Sequence, residues 1–178
     1  MTLPLVKYAS SLGFRTVIPS NGYLINENMA KKLHEAGLSA INISLDSLNP
    51  DIHDEFRGFE GAHKGVMTAI EALSKYKYPE VGIITIIHGK TYLGTVELVK
   101  WAINHPNLNW VNVMAIMQPN NTIFQSGWYR EFNYLWPADI PAVVKEVDKL
   151  IEIKKHQMQL TKSGIRQNEK LVNTLPQL

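Results

Sequence analysis

Apolar and polar positions divide the chain into alternating short and long periodic segments. Runs rich in β-branched and aliphatic residues at 14–18, 40–45, 81–87 and 110–117 read as strands. Between them, apolar residues recur at helical spacing: Val66, Ala69, Ile70 and Leu73; Val96, Val99, Ala102 and Ile103; Val143, Val147, Leu150 and Ile151. Each set forms one stripe on a helix, the face that would meet a core. Gly13 and Gly37 follow helical stretches just ahead of strands, and Asn49-Pro50 and Asp139 suit helix starts after loops. Strands alternating with helices at this spacing predict βαβ units, a parallel sheet and right-handed crossovers, which is the α/β class.

One strand separates a barrel from a doubly wound sheet. In Ile41-Asn42-Ile43-Ser44-Leu45-Asp46, apolar and polar residues alternate strictly. A strand covered by helices on both faces would bury Asn42, Ser44 and Asp46 in apolar packing at considerable cost. Inside a barrel they could line a chamber. In the last strand Asn112 and Gln118 share one face by parity, while Val111, Val113 and Ala115 share the other. The other reading of the 41–46 strand is an edge strand with a solvated face. Segments 20–26, 47–62 and 119–137, after the strands, hold most of the loop Gly, Pro, Asn and charged residues. In α/β folds ligands bind at that end.

Composition narrows the chemistry. The 178 residues, 45% hydrophobic and 19% charged, suit one globular unit with a real core. A net charge of +2 without a long basic run predicts no nucleic-acid partner. The opening stretch carries Lys7 and no small-residue cleavage site, and no segment reaches the ~18 apolar residues of a membrane span. The expectation is a cytoplasmic protein without a membrane partner. The cysteine count is zero, so no residue offers a thiolate to a metal, a disulfide or an iron–sulfur cluster.

Several motif readings fail. The run Gly58 to Gly65 lacks the Gly-Lys-Ser/Thr ending of a P-loop, and no Gly-x-Ser-x-Gly elbow is present. Asp46, Asp51, His53 and Asp54 crowd one strand end and allow an Asp/His metal site as an alternative; capping and solvation by the His-Asp pair is the preferred reading, and no metal ligand is assigned. Trp110, Trp128, Tyr129, Phe132, Tyr134 and Trp136 concentrate late in the chain, where packing of a loop onto the barrel is favoured over walling a substrate chamber.

The positive signal lies between residues 20 and 63. Ser20-Asn21-Gly22 follows a strand; after a helix come Ile43-Ser44-Leu45-Asp46-Ser47, then Ile52-His53-Asp54-Glu55-Phe56-Arg57-Gly58 and Gly61-Ala62-His63. In this order the segments resemble the middle of the radical S-adenosylmethionine (radical SAM) family. There a Thr/Ser-Asn-Gly turn ends the third barrel strand, an Ile-Ser-Leu-Asp segment forms the fourth and a His-Asp-x-x-Arg-Gly element follows. The likeness continues more loosely through the 81 and 110 strands, Gln118-Pro119 and Leu135-Trp136-Pro137.

The resemblance implies a partial parallel (β/α) barrel of the radical SAM type, truncated at its N-terminus. Residues 1–178 would form one incomplete domain, with the 160–178 tail unassigned. It also implies reductive cleavage of SAM at a 4Fe-4S cluster to a 5′-deoxyadenosyl radical, a step that the cofactor supplies. This chain lacks the cysteine motif, so no cluster is expected in it and the fragment alone is expected to be inactive. By resemblance Ser44 and Asp46 would hydrogen-bond SAM, Arg57 would pair with its carboxylate, and Asn21 and Gln118 are further binding candidates. Without a ligand, Arg57 would pair with Glu55 or Glu60 at the surface and Ser44 with backbone. The expected partners are SAM, an unidentified substrate, and a partner chain or second copy at the exposed barrel edge. A cluster-free barrel binding SAM, a nucleoside or a peptide, and a metal-dependent enzyme using Asp46 and His53, are the competing functions.

Overall fold

The computed structural model describes residues 2–117, 123, 127–128, 135–162 and 171–174; for 158–162 and 171–174 the description is of the backbone alone. The elements alternate: α1 (Thr2–Ser11), β1 (Val17–Ser20), α2 (Glu27–Glu35), β2 (Ala40–Ser44), α3 (Pro50–Arg57), α4 (Ala62–Leu73), β3 (Glu80–Ile87), a 3-10 turn (Tyr92–Gly94), α5 (Thr95–Asn104), β4 (Trp110–Ala115), α6 (Ile140–Lys162) and β5 (Leu171–Thr174). Asn49 accepts from the N–H groups of Asp51 and Ile52, with Pro50 opening α3, and Asp139 Oδ1 accepts from Ala142 N–H at 3.0 Å ahead of α6. Both helix starts stand where capping chemistry places them.

All neighbouring strands pair in parallel, in the order β1-β2-β3-β4-β5. Spatial order equals chain order, so no strand reverses direction of travel across the sheet. Right-handed crossovers then place every connecting helix on the same face. A doubly wound sheet, which covers both faces, is excluded by that order. Among the described residues the sheet runs from β1 to β5 and does not close. It is a partial barrel.

Burial follows parity. Ile41, Ile43 and Leu45 are fully buried, as are Ile83 and, nearly so, Val81, Val111 and Val113. They meet Ala30 and Leu33 of α2, Val66, Ala69, Ile70 and Leu73 of α4, and Leu98, Val99 and Ala102 of α5 in one core. The opposite parity of the same strands carries Asn42, Ser44, Ile84, Asn112 and Met114, all half-buried, on the face that the helices leave open. Among the described residues, no helix is long and apolar enough to cross a membrane.

The first strand and the tail depart most from the sequence reading, while β2, β3 and β4 differ at one end by one or two residues. The first strand spans Val17–Ser20 rather than 14–18, because Phe14 is 65% exposed and Arg15 is held outside by an ion pair with Glu80. The tail, too sparse in apolar residues to assign from sequence, contributes β5, where pairing of Trp110–Val113 with Leu171–Thr174 supplies what the local pattern lacks. Trp128 and Trp136 meet edge to face at 6.4 Å, a packing contact; Tyr129, Phe132 and Tyr134 lie outside the described residues.

Candidate functional site

The open face of the sheet holds a ladder of rows set by strand register. Asn42, Gly82 and Trp110 align in one row, and Ser44, Ile84 and Asn112 in the next toward the C-terminal strand ends. In the first row the Trp110 indole crosses Gly82 and donates its Nε1–H to Asn42 Oδ1 at 2.8 Å. A Cβ on Gly82 would lie 2.0 Å from Trp110 Nε1, so only glycine lets the ring lie flat across the strand. The indole thereby forms a floor on this face. The Ser44 row lies immediately above it, with no hydrogen bond from the Ser44 hydroxyl among the described residues.

Above that row the chain leaves β2 and Asp46 turns inward. Asp46 is 1% exposed, and its Oδ1 accepts from the backbone N–H of Ile86 at 3.2 Å. Its Oδ2 lies 2.5 Å from Arg57 Nη2 at the end of α3. This close ion pair occupies Oδ2, whereas Arg57 Nε is buried without a hydrogen-bond partner among the described residues. Burial raises the Asp46 pKa above the ordinary carboxylate value, and Arg57 opposes that shift.

Three histidines surround this pair. The backbone N–H of Asp46 donates to His53 Nδ1 at 3.2 Å, which leaves the ring hydrogen on Nε2. His53 is 1% exposed, and burial, with Arg57 and His63 adding to it, pushes its pKa down to about 4. His88, fully buried after β3, stacks on Phe56 at 3.8 Å, and burial with Lys90 and Arg57 lowers it to about 4. His63 is also lowered by burial. The Nε2 atoms of His63 and His88 are buried without a partner. At neutral pH the site thus holds one carboxylate, one guanidinium and neutral imidazoles, several with unmet hydrogen-bonding capacity in a region where burial makes that costly.

Of the residues that the resemblance singles out, Asp46 and Arg57 meet just beyond the end of β2, whose last residue is Ser44. Arg57 pairs with Asp46, not with Glu55 or Glu60; Lys90 holds Glu55 instead. Asn21 stands one strand away in the turn after β1, where its Oδ1 accepts from Tyr23 N–H at 3.3 Å. Gln118 lies outside the described residues. The solvating role expected for His53 is corrected: it is buried against Asp46, and Asp54 alone of the pair does the capping, accepting from the N–H groups of Gly61 at 2.6 Å and His63 at 2.7 Å. Among the described residues no three His, Asp or Glu side chains gather as metal ligands. His88 escaped the sequence reading, although its parity with Ile84 and Ile86 along the strand marks it for the same face.

Comparison with known proteins settles the family. Residues 3–102 match the radical SAM superfamily, over half of the chain. The chain belongs to the radical SAM superfamily. An AdoMet-dependent heme synthase of Methanosarcina barkeri is 35% identical over 75 residues, covering 42% of this chain and 22% of the relative. A probable GTP 3′,8-cyclase of Sulfolobus acidocaldarius is 26% identical over 162 residues, 90% of this chain and 49% of the relative. The chain therefore spans between about a fifth and a half of these relatives. Streptococcus suis SuiB bound to S-adenosylmethionine superposes with a TM-score of 0.56 at 15% identity, over 98% of this chain and 34% of that one, which confirms the radical SAM fold.

Proposed function

We propose that these residues form the SAM-binding wall of a radical SAM enzyme, in a cytoplasmic setting, and that by themselves they bind SAM without cleaving it. The observation that carries this reading is the Asp46–Arg57 pair at the end of β2: among the described residues Arg57 Nε is buried without a hydrogen-bond partner, and the Ser44 hydroxyl makes no hydrogen bond. A ligand bearing a carboxylate and hydroxyl groups would complete both. Arg57 suits the carboxylate of the methionine portion, because its planar fork matches carboxylate geometry. Asp46 and Ser44 suit hydroxyl donors such as those of ribose.

The family's iron–sulfur cluster does not fit the residues present. A 4Fe-4S cluster is held by thiolates, and the sequence has no cysteine. No step of SAM cleavage is therefore assigned to any residue here. The substrate, which this wall would share with SAM, is unidentified.

Calorimetric titration of SAM into the purified chain tests the proposal. Binding is expected, and Arg57→Ala should weaken it while circular dichroism shows the fold retained. Incubation with iron, sulfide, a reductant and SAM should yield no 5′-deoxyadenosine. A folded protein that gives no binding signal, or one that forms 5′-deoxyadenosine, overturns the reading.

The proposal extends to the β1 edge. Leu5, Tyr8, Leu12, Phe14 and Val17 are all more than 40% exposed along α1, β1 and the segment between them, and an open strand edge with apolar flanks invites association. A second copy of the chain is expected to cover this edge in solution. Size-exclusion chromatography over a dilution series checks it, and a dilution-resistant monomer counts against it.

A further inference from the structure

The Ser44 row contains a second uncommitted polar group, on the side of the open face away from Asp46. Asn112 projects from β4 on the same parity as Ser44, two strands over and across Ile84. Its Oδ1 is buried without a hydrogen-bond donor, and no hydrogen bond reaches its amide among the described residues. The row beneath contrasts with it: there Asn42, equally polar and on the same face, is satisfied by the Trp110 indole at 2.8 Å. The fold therefore has the means to satisfy an asparagine on this face and does so one row lower. Leaving an amide acceptor unpaired costs stability that an apolar residue of the same size would not lose. Such an unmet buried atom calls for an explanation such as a missing ligand.

The floor fixes what that ligand can be. The indole lies across Gly82, a strand position where a Cβ would collide with it at 2.0 Å, so it fills the space over that strand in the Asn42 row. Asn112 stands directly above Trp110 along β4, and Ile84 beside it is apolar. A molecule entering from the C-terminal strand ends would have its innermost polar group meet Asn112. An amide presents both an acceptor and donors, but the buried, unpaired atom here is the acceptor.

We propose that Asn112 is a specificity-determining residue that accepts a hydrogen bond from an N–H or O–H donor at the deepest end of the bound molecule. This rests on the SAM-binding reading and adds to it the site's selectivity. Two sources offer the required donor: the exocyclic amino group of the SAM base, or an N–H of a second substrate held beside SAM. Apolar groups and pure acceptors, such as carboxylates, would be rejected at this position, since they would leave the amide oxygen buried and unpaired.

The test compares wild type with Asn112→Leu, a near-isosteric apolar replacement, and with Asn112→Ala, which guards against overpacking. The probes are SAM alone and guanosine triphosphate in the presence of saturating SAM; the guanine base carries both amino and amide N–H donors. Without ligand, Asn112→Leu should melt higher than wild type by ~2–4 °C, because it removes an unpaired acceptor. A loss of about tenfold in SAM affinity in both variants assigns the donor to the SAM base; unchanged SAM binding with a similar loss for guanosine triphosphate assigns it to a second substrate. A fall in melting temperature in both variants shows that the amide has a structural role and overturns the proposal. So does a wild type that binds SAM while both variants bind each probe equally well. A wild type that binds neither probe sinks the SAM-binding reading itself and this inference with it.

Discussion

Arg57 Nη2 lies 2.5 Å from Asp46 Oδ2, and the carboxylate it faces is almost completely shielded from water. Asp46 lies just after β2 and Arg57 is the last residue of α3, so this ion pair ties the C-terminal end of α3 to the strand end. Removing Arg57 would leave a buried, uncompensated carboxylate. Arg57→Ala is expected to cost about 3 kcal/mol, and Asp46→Asn less, because the guanidinium left behind is partly exposed and can turn to water. Urea denaturation of the two variants measures the order, and an equal or reversed order refutes this account of the pair.

The same pair predicts a pH effect. The Asp46 pKa is raised by burial and held back by Arg57. A carboxyl with a raised folded pKa favours folding when protonated, so its contribution is present at low pH and lost as pH rises through the folded value. Without Arg57 the rise is larger. The stability gap between Arg57→Ala and wild type should therefore narrow on acidification from pH 7 toward 5, whereas the gap for Asp46→Asn should not. Unfolding curves at the two pH values decide it.

His53 and His88 act with the opposite sign. Their folded pKa values are pushed down to about 4, mainly by burial. The unfolded chain takes up protons near the ordinary histidine value of about 6.5, while the folded chain resists them. Their contribution is complete above that value and is lost as pH falls toward about 4. Against the single opposing carboxyl, two such histidines should make wild type less stable at pH 5 than at pH 7, and His88→Phe should flatten the dependence. A His88→Phe profile as steep as that of wild type would exclude His88 as a source.

Gly82→Ala should dislodge the Trp110 indole, since the new Cβ would sit 2.0 Å from its Nε1 and 2.2 Å from its Cε2. The ring cannot yield without breaking its bond to Asn42. The expected loss is about 2–4 kcal/mol, with indole emission moving to longer wavelength as the ring becomes solvated. An unchanged emission spectrum would show that the floor does not depend on this contact.

Gly65→Ala sets helix propensity against close packing. In an isolated helix alanine gains about 1 kcal/mol over glycine. Here a Cβ would come within 2.9 Å of Tyr23 Cα, on the turn that carries Asn21. Backbone cannot swing away as a side-chain tip can, so the substitution should destabilise by about 1–3 kcal/mol and weaken SAM binding by shifting the Ser20–Gly22 turn. A rise in melting temperature would show that the turn yields freely.

Local pattern made the layout legible. The alternation of period-two and helical stripes, the caps at Asn49 and Asp139, and the strict in-out pattern of Ile41 to Asp46 are properties of neighbouring residues, so the sequence by itself determined the α/β class, the parallel strands and the polar face of β2. The ordered motifs from Ser20 to His63 carried the family likeness, and the total absence of cysteine excluded cluster ligation by these residues. Tertiary structure decided the rest, because it depends on which distant residues share a register. That Arg57 would choose Asp46 over Glu55 and Glu60, its nearer neighbours in sequence, was set by where the C-terminal end of α3 lies relative to the end of β2. That Trp110 would reach Asn42, 68 positions away, required Gly82 between them on a third strand. The burial of His53 and His88, and an Asn112 Oδ1 without a partner among the described residues, are likewise outcomes of the assembled structure. Periodicity tells which face a residue occupies. Only the assembled rows show which neighbour answers it across that face, and which polar groups are left for a ligand.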